Sequence, residues 1–117
     1  MSLAIKRIYA AAEPGDGTRI LVDRLWPRGI SRAEAGIDEW MKDIAPSQAL
    51  RQWFGHRPER WDEFRKRYRS ELDGQAEKVE QLRKLAARHH VTLLYAAHDE
   101  EHNNASALRD HLAEGRA

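Results

Sequence analysis

Val91-Thr92-Leu93-Leu94-Tyr95-Ala96-Ala97 decides the fold. The run is almost wholly apolar, and it passes directly into His98-Asp99-Glu100-Glu101-His102-Asn103-Asn104. A continuous apolar run bounded by polar residues is the pattern of a strand buried on both faces. It belongs at the centre of a sheet. Arg19 to Leu25 repeats the pattern, with Ile20, Leu21 and Val22 contiguous. Turn residues Pro14, Gly15 and Gly17 precede it, and Pro27 and Gly29 break the chain after it. Ile5 to Tyr9 alternates loosely and reads as a short third strand.

The intervening segments carry helix signals. Ser31 and Glu34 stand at capping-box spacing before Arg32 to Ala35. Ser47 is placed to cap Gln48 to Phe54, which Gly55 ends. Pro58 suits a first helical position. Trp61, Phe64, Tyr68 and Leu72 then recur every three or four residues, up to Gly74. Ala76, Val79, Leu82 and Leu85 mark a further helix. Asp99 reads as the cap of the last one, with Glu100 and Glu101 in its first turn. Ala105, Leu108 and Leu112 form its core face, and Gly115 follows its end. Ile37 to Ile44 is ambiguous: Ile37, Trp40, Met41 and Ile44 keep helical spacing. Buried strands interleaved with helices predict an α/β fold, a mostly parallel central sheet flanked by helices.

At 117 residues, the chain is expected to form a single domain over 1–117. It has no cysteine, which excludes disulfides, thiolate metal sites and a thiol nucleophile. The first residues lack the charged start and apolar stretch of a signal peptide. No apolar run approaches the roughly 18 residues that span a bilayer. A cytoplasmic location without membrane contact is expected. Twenty basic residues against 19 acidic give a net charge of +1, which counts against a general nucleic-acid field. Arg greatly outnumbers Lys, and Arg suits bidentate recognition of carboxylate or phosphate.

Ligands of open α/β sheets bind beyond the carboxyl ends of the strands. Here those ends carry two polar clusters. Asp23, Arg24, Trp26, Pro27, Arg28 and Gly29 form the first; His98, Asp99, His102, Asn103 and Asn104 form the second. If the two strands are parallel neighbours, both clusters open onto one crevice. Arg28, fixed between Pro27 and Gly29, is placed to grip an oxyanion, while Trp26 suits rim packing better than a stacking platform. Asn103 and Asn104 sit where a helix is expected, and Asn is a poor helix former, so at least one has a hydrogen-bonding task. His98 and His102 are four apart, as two zinc ligands on a helix face are, but the zincin motif is absent. A catalytic zinc needs a third protein ligand, for which only Asp23 or His56 offers itself, and no metal or cofactor is expected. The Arg-rich 51–69 segment interleaves with aromatics, but Trp61, Phe64 and Tyr68 hold core spacing and the acidic residues offset much of the charge. No P-loop, dinucleotide fingerprint or nucleophile elbow is present.

Leu21 to Gly29 (LVDRLWPRG), Ala45 to Phe54 (APSQALRQWF), Trp61 to Leu72 (WDEFRKRYRSEL) and Thr92 to Ala105 (TLLYAAHDEEHNNA), in that order, resemble the YeaO-like family, domain of unknown function 488. The resemblance covers almost the whole chain. It implies a compact α/β domain and an extended segment over Ile37 to Ile44, which we adopt against the bare pattern. It assigns no activity. In the broader membership the last motif resembles a strand entering a helix that starts with a Cys-His-Arg-like group; with no cysteine here, a thiol role does not carry over. Close relatives often carry a basic residue rather than strictly His at the position of His98, which weakens the zinc reading. Asp23, Arg24, Pro27, Arg28, Asp99 and Asn103 match motif positions and gain weight from the resemblance, without assigned roles.

Three uses of the strand ends follow. The first is an enzyme or ligand-binding domain for a small anionic compound, phosphate-bearing or nucleotide-like. There Arg24 and Arg28 grip the anion, Asp23 orients an arginine or serves as a general base, and Asp99 or His98 handles protons. Trp26, His102, Asn103 and Asn104 complete the ligand-binding set. The second is a nucleic-acid-associated module using residues 51–69. The third is an interaction protein whose strand-end polar groups pair among themselves.

Overall fold

The computed structural model describes residues 1–114. Strands β1 (Leu3–Arg7) and β2 (Thr18–Leu21) come first, followed by helix α1 (Arg32–Ala35), β3 (Glu39–Trp40), the helices α2 (Gln48–Phe54), α3 (Trp61–Asp73) and α4 (Ala76–Arg88), then β4 (Val91–Tyr95) and α5 (Asn104–Glu114). The expected stop at Gly115 lies outside the described residues. Among these residues the strands form one sheet in the order β1-β4-β2-β3, and every pairing is parallel. β4 comes last in the chain but lies inside the sheet, with Leu93 opposite both Ile5 of β1 and Ile20 of β2. All five of its residues are buried.

The two-residue period of β2 and β4 splits the core in two. Ile20, Val22, Val91, Leu93 and Tyr95 meet the apolar faces of α2, α3, α4 and α5. Leu21 and Leu94 point to the other face, where Ile8 and Ala35 join them. Each such fully buried aliphatic side chain contributes about 1.5–3 kcal/mol. The second face is thinly covered: half-buried Trp26, Ile30, Ile37 and Trp40 finish it.

The local signals hold where they are short-range. Ser31 and Glu34 form the reciprocal capping box of α1, and Ser47 caps α2 through the Leu50 amide. Gly55 ends α2 in the left-handed conformation. Ile37 to Ile44 is extended at β3 and then makes a single 3-10 turn, Lys42–Ile44, rather than an α-helix. Arg19 to Leu25 is shorter as a strand than expected, because β2 ends at Leu21 and the chain turns after Asp23.

Placing β4 between β1 and β2 requires the chain to return from the end of β1 to the start of β2 through residues 8–17. Asp16 fastens that crossover. Its carboxylate accepts from Lys6 of β1 at 3.0 Å, pairs with Arg19 of β2 at 2.5 Å, and its carbonyl accepts from Thr92 of β4 at 2.7 Å. Arg19 is buried and also donates to the Ala35 and Gly36 carbonyls, closing the end of α1. Gly17 is required beside it. Its φ is +65°, and a Cβ there would sit 2.3 Å from the His90 carbonyl oxygen.

Burial acts to raise the Asp16 carboxyl, but the Glu13 amide and the Lys6 and Arg19 side chains outweigh it and hold the group at about 2. The native value is below the ordinary 3.8, so between the two the unfolded chain binds more protons. The stabilisation is complete above about pH 4 and lost as pH falls through about 2. Urea unfolding across that window should show a shallower acid loss for Asp16→Asn than for the parent.

Candidate functional site

The β2–β4 ladder runs one residue past β2, where the Val22 amide donates to the Leu94 carbonyl at 3.1 Å. Asp23 then takes over with its side chain. Oδ2 accepts from the Ala96 amide at 3.0 Å and Oδ1 from Asn104 Nδ2 at 3.1 Å. The same Asn104 amide donates to the Val22 carbonyl at 2.9 Å, and Trp40 Nε1 donates to the Asp23 carbonyl at 2.7 Å. One carboxylate thus ties the ends of two strands to the start of α5. Burial pushes the Asp23 carboxyl up; the Asn104 and Ala96 donors and the nearby Arg51 and His56 side chains act against that.

The segment after β4 differs from the expected helix. Asp99 does not cap α5. Its Oδ1 accepts from the Glu101 and His102 amides, both at 2.9 Å, and its Oδ2 meets His102 Nδ1 at 3.0 Å. The His102 and Glu101 amides hold this carboxyl below its ordinary value. The cap is Asn103, whose Oδ1 accepts from the Ser106 amide at 2.8 Å while its Nδ2 donates to the Asp99 carbonyl at 3.0 Å. Asn103 therefore lies outside the helix and Asn104 is its first residue, so the low helix propensity of Asn costs little at either position.

Asp23 and Arg24 from the first cluster, and His98, Asp99, His102, Asn103 and Asn104 from the second, line one cavity of about 550 Å³. The opposite wall comes from elements the strand ends do not announce: Arg51 and Phe54 of α2, His56 just beyond it, and Phe64 of α3. Gly55 and His56 both have positive φ, +54° and +56°. A non-glycine residue in that region costs about 1–3 kcal/mol and marks candidate functional positions. The signal for this wall is Gly55-His56, a helix stop followed at once by a polar ring.

Trp26 and Arg28 lie elsewhere. After Asp23 the chain turns away, so Trp26 joins the second-face core, edge-on to Trp40 at 5.4 Å, with Nε1 donating to the Ile30 carbonyl. Arg28 is exposed, and its carbonyl accepts from Tyr9 Oη at 2.8 Å. Neither lines the cavity. Arg24 does, with Nε and Nη2 donating to the Pro46 and Ala45 carbonyls at 3.0 and 3.2 Å.

The histidines are divided among different partners. His98 is exposed, with Nδ1 3.5 Å from Arg7 Nη2. His102 is held by Asp99 and packs edge-on to Trp61 at 5.2 Å. Among the described residues no three His, Cys, Asp or Glu side chains gather as a metal would require. In the 51–69 segment, Arg60 and Arg67 lie over the Trp53 ring, and Arg65 and Arg69 meet Glu114. Phe64 and Tyr68 are buried. Arg51 has no side-chain hydrogen bond or ion pair among the described residues. No helix is long and apolar enough to cross a membrane among those residues.

A small parallel α/β sheet with a cavity of mixed polar and apolar lining at its strand ends is the class that fold and geometry define. A family profile described as the inactive DUF488-N3 subclade matches residues 2–117. The chain belongs to this DUF488 family, as the four motif segments implied. It is 42% identical over 112 residues to the uncharacterised protein YeaO of Escherichia coli K12, covering 96% of this chain and 97% of that one. It is 44% identical over 104 residues to an uncharacterised protein of Mycobacterium tuberculosis H37Rv, covering 89% and 87%. A Mycobacterium bovis protein matches with the same figures. No solved structure matches.

The cap assignment is directly testable. Asn103→Ala should destabilise the fold by about 1 kcal/mol in urea unfolding, and Asn103→Asp should also lose stability, because it keeps the acceptor for the Ser106 amide but sets a buried carboxylate oxygen against the Asp99 carbonyl.

Proposed function

We propose that this protein is a binding domain without catalysis that takes a small anionic compound into the strand-end cavity. One observation carries the reading. Both oxygens of each carboxylate in the cavity, Asp23 and Asp99, already accept hydrogen bonds from the chain itself. They are committed to shaping the site rather than to moving protons. No Ser, Thr or Cys stands in the cavity lining, so no hydroxyl or thiol nucleophile is present there. The inactive description of the matching family agrees with this reading.

The cations are differently placed. Arg51 keeps its whole guanidinium for a ligand, and Arg24 keeps Nη1 after anchoring Nε and Nη2. A cavity of about 550 Å³ falls in the range of small-molecule sites, about 300–1,000 Å³. Arg24 and Arg51 therefore replace the pairing of Arg24 with Arg28 that the sequence favours. The observation favouring catalysis instead is the Asp99–His102 pair at 3.0 Å, an arrangement that orients an imidazole. Turnover of a bound compound, lost in His102→Gln, would favour that second reading.

A thermal-shift screen against carboxylates, phosphates, sulfate and nucleotides tests the proposal. A ligand at about 100 times its Kd stabilises the fold by about 2.7 kcal/mol. Arg51→Ala should weaken binding by about tenfold or more, since a charged hydrogen bond is worth about 1.5–3 kcal/mol. Arg28→Ala should bind as the parent does. The reverse pattern, or no shift with any anion, would overturn the proposal.

A further inference from the structure

Resting on the reading of this cavity as an anion site, we infer that its ligand is a monocarboxylate with an aromatic or bulky apolar body, rather than a phosphate ester or nucleotide.

The apolar body has a wall waiting for it. Phe54 and Phe64 line the cavity and stack with centroids 4.5 Å apart; Trp61, outside the lining, supports Phe64 at 5.6 Å. Ala96 and Ala97, just beyond β4, add small apolar surface. A bare inorganic anion would fill only a small part of about 550 Å³ and leave this aromatic surface unmatched.

The charged end is selected by the supply of donors. Phosphate sites draw on free backbone amides, typically at a helix N-terminus or in a glycine-rich loop. Here four of the amides around the cavity are already occupied. Ala96 N–H is bonded to Asp23, Glu101 and His102 N–H to Asp99, and Ser106 N–H to Asn103. At these four positions the chain's own side-chain oxygens stand where the oxygens of a ligand would sit. The cationic donors of the lining that stay charged at any working pH are the guanidinium groups of Arg51 and Arg24, and a planar guanidinium matches a planar carboxylate through two parallel hydrogen bonds.

Charge balance points the same way. The two arginines of the cavity offset Asp23 and Asp99. A phosphate monoester brings about −1.5 to −2 at pH 7 against those two fixed carboxylates. A monocarboxylate brings a single charge and has an apolar wall to offset the cost of its partial burial.

The test is a calorimetric and amide-shift titration with matched pairs. Indole-3-acetate and 3-phenylpropionate form one arm, phenyl phosphate and adenosine monophosphate the second, acetate the third and 3-phenylpropanamide the fourth. The aryl carboxylates should bind at least tenfold tighter than the other three arms, shift the Ala96 to Asn104 amides, and lose that advantage in Arg51→Ala. Equal or tighter binding of the phosphates would overturn this inference and leave the anion-binding proposal standing. Equal binding of the neutral amide would overturn the role given to the arginines. Binding in no arm would overturn both the inference and the proposal beneath it.

Discussion

The Asp23 carboxylate links the ends of β2 and β4 to the start of α5 beyond the point where the strand ladder stops. It replaces a backbone acceptor where the β2–β4 ladder ends, and it receives the first side chain of α5. Without it the Ala96 amide would lose its acceptor at a half-buried position, a loss of about 1–3 kcal/mol. The anchor fixes the start of α5, whose buried face of Ala105, Leu108 and Leu112 seats it on the sheet, and it fixes where the Ala96 to Asn103 segment leaves β4. Asp99 and Asn103 then fold that segment by taking up its amides. The cavity is the space left between this self-satisfied loop and the end of α2. Its polar lining is therefore unequal: the carboxylates are committed to structure and the guanidinium of Arg51 is not.

At the opposite end of the sheet, Asp16 does comparable work with different partners. It gathers Lys6, Arg19 and Thr92 from three strands and lets a crossover of ten residues carry β2 past the slot that β4 fills. A parallel pair usually needs a connection of a dozen or more residues. The ion pair and the close approach of Gly17 to His90 fasten the end of this short route. The contrast between the carboxyls is instructive. Asp16 meets two cations and is held low, whereas Asp23 is bonded to neutral amides and is pushed up by burial.

Much of this architecture is legible in the residues. The apolar runs of β2 and β4, the Ser31–Glu34 box and the Ser47 to Gly55 bounds of α2 are local signals, and the structure follows them. Residues Ile37 to Ile44 keep helical spacing yet are extended at β3, and there the family resemblance reads better than periodicity. The start of α5 is misread because Asp99 and Asn103 are both good caps, and only tertiary hydrogen bonds decide between them. Asn104 can reach Asp23 only if the helix begins after residue 103. Trp26 and Arg28 adjoin the cluster in sequence but turn to the second face, an effect of chain path rather than residue type. Arg51 and Phe54 are invisible to a reading of strand ends, because the packing of α2 across the sheet is a long-range property.

Amide hydrogen exchange at Ala96 tests the central role of Asp23 most directly. Ala96 lies beyond β4, so any protection of its amide must come from the Asp23 carboxylate. The account predicts a protected Ala96 amide in the parent and fast exchange in Asp23→Ala, with Leu93 inside β4 remaining protected in both. An Ala96 amide that exchanges freely in the parent, or is equally protected in Asp23→Ala, would contradict it.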